Sequence, residues 1–160
     1  MENFKITSIE DGKEYWISRP CAVTGIVFVV DKYGIQVLCA QRGLGAIDYQ
    51  GLWNCPSGYI NWDESGEEAA SREVFEETGV KIPIGKWKLV SAQTSPLSNK
   101  QTIVLRYLAI IPIEEFHVSV SNCNEYSEVA KVDLISFDHI SKLQWAFDHD
   151  KLIFSALKRK

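Results

Sequence analysis

Glu64, Arg72, Glu73, Glu76 and Glu77 are the residues of this chain whose types and spacing promise chemistry. Residues 66–78 read as a helix, and at about 100° per residue Glu73, Glu76 and Glu77 fall within an arc of roughly 100°, on one face. Like charges at these spacings repel by about 0.2–0.5 kcal/mol per pair. Thr78-Gly79 is a stop signal, so Glu76 and Glu77 occupy the last turn, where the helix dipole disfavours negative charge. A solvated charged face would leave both penalties uncompensated. A bound divalent cation is the simplest compensation, and a hard cation such as Mg²⁺ takes oxygen ligands. Ala70, Val74 and Phe75 are the apolar side of the same helix and read as core, while Glu67 and Glu68 read as favourable N-terminal charges.

The stretch from Gly58 to Val80 resembles the Nudix box, G-x5-E-x7-R-E-U-x-E-E-x-G-U, where U is a bulky aliphatic residue. Gly58, Glu64, Arg72, Glu73, Val74, Glu76, Glu77, Gly79 and Val80 meet every fixed position. Trp53-Asn54-Cys55-Pro56 stands where the family has W-x-L-P, and Ala146-Phe147-Asp148-His149 is similar to a segment near the end of Nudix domains. One departure is Ser57, where the family has a second glycine before the box.

The resemblance implies roles position by position. Glu73, Glu76 and Glu77 match the metal-binding glutamates, with the Ser57 carbonyl as a further ligand; a carbonyl does not depend on its side chain, although serine restricts the backbone angle that aims it more than glycine does. Arg72 matches the residue that orients the glutamates, a task its planar fork suits. Glu64 matches a supporting residue behind the ligands. Glu73, Arg72, Glu64 and Glu128 make up the catalytic set, Glu128 and its neighbour Glu125 being downstream candidates for the proton acceptor. The implied reaction is hydrolysis of the pyrophosphate in a nucleoside diphosphate linked to another moiety, X, with Mg²⁺ as cofactor and Mn²⁺ as a substitute.

The box does not say what X is. Arg42 and Arg106 are candidates for phosphate. Trp53 and Tyr59, with Trp16, Tyr49 and Trp62, are candidates to stack on a base, and each has a packing role as its alternative. The glycine-rich segment from Gly43 to Gly51 is longer than a tight hairpin needs and is expected to wall the site. Two other readings stand beside hydrolysis. One is a Nudix-fold module that binds nucleotide or RNA without catalysis. The other is an enzyme like isopentenyl diphosphate isomerase, to which Trp53-Asn54-Cys55 is faintly similar.

The elements that must position these residues follow from pattern. Residues 21–30 and 35–40 are β-rich runs about a turn at Asp31-Lys32-Tyr33-Gly34, hence a hairpin. Further strands are expected at 52–55, 86–94, 101–111 and 130–136, and a closing helix at 148–158 with Leu152, Ile153, Ala156 and Leu157 on one face. Strands between two helices imply an α/β/α sandwich around a mixed β-sheet, the Nudix fold, as one domain over residues 1–160. A net charge of −4 offers no basic surface for general nucleic-acid binding, so the expected partner is a nucleotide-type small molecule. The longest apolar run, residues 22–30, is too short to span a membrane, and the N-terminus lacks a signal-peptide layout. The chain therefore reads as cytoplasmic, and a homodimer is left open. Cys21, Cys39, Cys55 and Cys123 fit no zinc spacing and read as small packing residues; His117, His139 and His149 receive no role.

Overall fold

The computed structural model describes residues 4–95, 101–119, 123–124 and 126–158, and all side chains within them except those of Phe4 and Trp16. Glu125, most of the expected 95–100 turn and the Trp16 ring thus lie outside the described residues. The chain opens with a hairpin, β1 (Phe4–Thr7) and β2 (Glu14–Ile17), which forms its own two-stranded sheet. The pattern gave no hint of it, because four-residue strands that bury little carry no clear alternation. Then follow β3 (Cys21–Asp31), β4 (Gly34–Arg42), β5 (Trp53–Asn54), β6 (Ser57–Tyr59) and α1 (Gly66–Thr78). After α1 come β7 (Lys88–Gln93), β8 (Ile103–Pro112), β9 (Val129–Ser136), a one-turn helix α2 (Phe137–Ile140) and α3 (His149–Leu157). β6 and α2 were not expected, both being too short for a periodic signal.

The expected hairpin forms between β3 and β4, where Asp31 Oδ1 accepts from the amides of Tyr33 (2.7 Å) and Gly34 (2.9 Å). β3 also runs parallel to β8, from Cys21 opposite Ile103 to Val30 opposite Pro112, so the sheet is mixed. The β3–β4 pairing is confined to the hairpin end. Farther back, β6 takes the same edge of β3, at Ala22, Val23 and Thr24, while β5 pairs with β4 at Ala40 and Gln41. Each strand has only two edges, and β8 and β9 hold the outer ones. β3 and β4 therefore splay apart, and the chain that leads into α1 fills the gap.

Alternation along β3 sends its side chains to two cores. Val23, Val27 and Val29 pack with Ala69, Ala70 and Val74 of α1, with Trp87 and with Tyr107 of β8. Ile26 and Phe28 pack on the other face with Ile140, Leu152, Ile153 and Ala156 of α2 and α3. The molecule is an α/β/α sandwich, as its sequence pattern implied. Cys39 and Cys55 are fully buried, whereas Cys21 and Cys123 are only half-buried. Among the described residues no helix is long and apolar enough to cross a membrane.

The approach of α1 to the sheet depends on Gly25. A Cβ there would stand 2.7 Å from Val74 Cγ2 and 3.2 Å from the Trp87 ring. Gly25→Ala is expected to destabilise the fold by about 1–3 kcal/mol in urea titrations, as overpacking of a rigid core does. The Gly25→Ala, Val74→Ala double variant should then be more stable than the sum of the two single losses. A neutral Gly25→Ala would show that the helix–sheet contact yields freely.

Candidate active site

The helix that carries the acidic residues is fixed at both ends. Ser65 Oγ accepts from the Glu68 amide, and the Glu68 carboxylate accepts from the Ser65 amide, a reciprocal cap. At the other end Gly79 takes the left-handed conformation (φ 72°) and donates to the Phe75 carbonyl, at the stop read from the sequence. The cap places Glu73, Glu76 and Glu77 toward the β3–β4 gap.

Arg72 organises what surrounds them. Its Nε and Nη2 hold both oxygens of Glu64, at 3.0 and 2.6 Å, and Glu64 Oε1 also accepts from the Asn61 amide at 2.7 Å. Nη1 donates to Glu73 (2.6 Å) and Glu76 (3.0 Å), and Nη2 also reaches the Tyr59 carbonyl at 2.9 Å. One guanidinium thus ties β6, the loop after it and α1 together. The paired arginine holds the Glu64 carboxyl below its ordinary range, and the glutamates, Glu64 foremost, raise the Arg72 pKa in turn.

Glu73 and Glu77 stand differently. Burial raises the Glu73 carboxyl in spite of Arg72, and the charges of Glu76 and Glu64 add to the rise. Glu73 lies against Gly58, where a Cβ would stand 2.1 Å from Glu73 Oε1, so no other residue admits the carboxylate at this place. The Ser57 amide donates to Glu77 Oε1 at 3.0 Å. Burial, with Glu73 and Glu128 as like charges, pushes Glu77 up to about 8.

These groups border a cleft of about 420 Å³, lined by Ser57, Gly58, Tyr59, Glu73, Glu76 and Glu77 on one side. Cys123, Ser127, Glu128 and Val129 line the other. Glu128 is held there by turn chemistry. Asn124 Oδ1 accepts from the amides of Tyr126 and Ser127, both at 3.0 Å, and the Glu128 and Ser127 carbonyls accept from the amides of Gly43 and Gly45. The Gly43–Gly51 segment therefore buttresses the wall rather than forming it. Ser127 and Cys123 escaped the sequence reading; the Asn124-x-x-Ser127 turn signal would have flagged the first.

The structure does not bring Arg42 or Trp53 into the cleft. Arg42 is turned into the loop that follows it, bonding Asp48 through its carboxylate (2.9 Å) and carbonyl (2.8 Å), with its guanidinium over Phe147. Trp53 is buried in the α3-side core with Lys131 over its ring, so neither face is open to a base. Tyr59 is exposed and lines the cleft. Trp62 is exposed with Tyr15 of β2 against it edge-on, and Tyr49 packs edge-on against Phe147. Cys55 is fully buried, and its amide donates to His149 Nδ1 at 3.0 Å, so this thiol is not at the cleft surface.

Among the described residues no three acidic, histidine or cysteine side chains already converge as a cation cage, because Glu73 and Glu76 lean on Arg72. The donor set nonetheless fits a hard divalent cation. It is all oxygen, and its two more buried carboxyls are raised by desolvation and like charge, strain that a cation would relieve.

The Glu77 shift has a testable sign. Its folded value of about 8 lies above the ordinary 4.5, so stability from this group is complete below about pH 4.5 and lost as pH rises through about 8. In chelator, Glu77→Gln should melt close to wild type at pH 5 and clearly above it at pH 8.5. A melting gap that does not change with pH would remove the buried-charge account.

A sequence profile of the NUDIX domain matches residues 19–156. The chain is 27% identical over 158 residues to the ADP-ribose pyrophosphatase of Methanocaldococcus jannaschii, covering 98% of this chain and 85% of that protein. It is 35% identical over 69 residues to phosphatase NudJ of Escherichia coli K12, a match over 43% of each. Among solved structures, the NUDIX domain of Shewanella oneidensis NrtR, complexed with ADP ribose, superposes with a TM-score of 0.71 at 23% identity over 89% of both chains. The bifunctional NMN adenylyltransferase/ADP ribose pyrophosphatase of Francisella tularensis, complexed with AMP and a manganese ion, gives 0.66 at 23% identity over 88% of this chain and 42% of that one. These likenesses are of fold, whereas the profile match spans most of the chain and includes the whole box; the protein belongs to the NUDIX family.

Proposed function

We propose that this protein is a metal-dependent pyrophosphohydrolase that cleaves a nucleoside diphosphate linked to a second moiety, with Mg²⁺ as cofactor and Mn²⁺ able to substitute. The observation that carries the reading is the surplus of carboxylates around one cleft. Glu73, Glu77 and Glu128 face one another there, and the cations that act on them are already engaged: Arg72 is shared among Glu64, Glu73 and Glu76, and Arg42, whose charge reaches Glu77, pairs with Asp48. Such a site gains by admitting cations and, with them, an anionic substrate. The Methanocaldococcus relative, matched along almost the whole chain, makes ADP-ribose the first substrate to try.

In this reading Glu73, Glu76, Glu77 and the Ser57 carbonyl would hold the cation. When bound, it neutralises the pyrophosphate, acidifies water and stabilises the departing phosphate. The chain's own residues do the rest. Arg72 fixes Glu73 and, through Glu64, the loop before α1, so the carboxylates stay within the tolerance that catalysis demands. Glu128, on the opposite wall, accepts the proton of the attacking water. Tyr59 presents an exposed ring at the cleft for a base or ribose.

The test is a hydrolysis screen with Mg²⁺ and Mn²⁺ over ADP-ribose, NADH, nucleoside triphosphates, dinucleoside polyphosphates and nucleotide sugars. On whichever substrate turns over, Glu76→Gln and Glu77→Gln should each lower kcat by at least about 100-fold with the fold intact. Glu128→Gln should lower kcat by about 100-fold with little change in KM. Near-normal turnover by the Glu77 variant at saturating Mg²⁺ would refute the ligand assignment, and near-normal turnover by the Glu128 variant would move the base elsewhere.

A further inference from the structure

A pyrophosphate substrate brings at least two negative charges to a cleft that no basic side chain lines among the described residues. Four arginines lie within those residues: Arg19, Arg42, Arg72 and Arg106. Three hold acidic or carbonyl partners, although Arg19 Nη2 is buried without one. Arg72 serves Glu64, Glu73 and Glu76; Arg42 serves Asp48; Arg19 donates to the carbonyls of Thr94 and Gln101. Arg106 is half-buried, no acidic side chain among the described residues pairs with it, and burial holds its pKa below the ordinary value.

Its place in the sheet is informative. Thr24 of β3 stands opposite Ser57 of β6 on one side and opposite Arg106 of β8 on the other, and Arg106 faces Ser91 of β7. Residues paired across strands share a face, so these four polar side chains form one row across the sheet. The row lies on the face away from α1, because Tyr107 packs beneath α1 while Leu108 packs on the α3 side. Ser57 belongs both to this row and to the cleft. Two strand spacings of about 4.8 Å put the Arg106 backbone roughly 10 Å from Ser57, a gap that an extended arginine and a diphosphate bridge together.

A guanidinium that is partly desolvated and has no acidic partner among the described residues gains less from its charge than a paired or fully solvated one. The packing gives no reason for a charge here; the neighbouring cleft does. We propose that Arg106 is a substrate-positioning residue that pairs with the phosphate of the bound diphosphate farther from the glutamates, across Thr24. The fork of a guanidinium suits the bidentate grip of phosphate, and the polar row gives the ligand a wettable path along the sheet. This rests on the pyrophosphohydrolase reading and deepens it, since it assigns a residue of the sheet face to the diphosphate and not to X.

The experiment separates the two. Calorimetric binding of methylenediphosphonate with Mg²⁺, which involves no hydrolysis, is compared for wild type, Arg106→Met and Arg106→Lys, together with their melting temperatures. Arg106→Met should bind about 10-fold to 100-fold more weakly, as loss of a charge-assisted pair does. Arg106→Lys should fall between it and wild type, and Arg106→Met should melt at or above the wild-type temperature, because an unpaired half-buried charge has gone. Unchanged affinity in Arg106→Met, no binding by wild type, or a markedly lower melting temperature in Arg106→Met would each overturn the proposal. Arg106-dependent binding in a protein that hydrolyses nothing in the substrate screen would instead sustain the subsite and sink the enzymatic reading.

Discussion

The site turns on the Arg72 guanidinium. Its bonds to Glu64, Glu73, Glu76 and the Tyr59 carbonyl join three pieces of chain that no shared secondary structure connects. The loop between β6 and α1 has no ladder of its own, and among the described residues it lies over an acidic helix face that would repel Glu64. With Arg72 between them, the repulsion becomes a network in which one carboxylate is held at both oxygens and two others at one each. Lysine, a point donor, would not hold this geometry.

Around that node, the sheet decides where the cleft opens. β3 and β4 pair only near their hairpin, and their divergence leaves a gap that β5 and β6 occupy from opposite sides. α1 approaches β3 closely because Gly25 presents no side chain, and Glu73 reaches β6 because Gly58 presents none. The far wall is assembled from two loops that support each other, with the amides of Gly43 and Gly45 bonded to the backbone that carries Glu128. One wall of the cleft is therefore built on β6 and α1, and the other on turns tied to a neighbouring loop by backbone hydrogen bonds.

Electrostatics and stability oppose each other here. Glu77 is pushed up to about 8 by burial and by its like-charged neighbours, and Arg106 is a half-buried cation with no acidic partner among the described residues. A fold selected for stability alone would carry neither. The two lie on opposite sides of the same stretch of β3, with opposite charge, and both are what a cation-bound diphosphate would neutralise.

By itself the sequence determined a good deal. The box spacing placed the carboxylates on one helical face, and the Thr78-Gly79 stop ended that helix where the structure ends it, because these are local, periodic properties of the chain. Alternation in residues 21–30 and 35–40 was enough for the central hairpin, and strands flanked by two helices were enough for the sandwich. Residue type could not say which aromatic lines the cleft, or which arginine is left without an acidic partner among the described residues. Arg42 and Trp53 are as plausible on paper as Arg106 and Tyr59, yet Asp48 and Phe147 turn the first away and the α3-side core covers the second. That choice depends on strand register and on contacts between residues far apart in sequence. The same holds for Glu128, placed by a turn and by the loop at Gly43 and Gly45, far upstream in the chain, and for the row that links Ser57 to Arg106, which exists only because β6 and β8 flank β3.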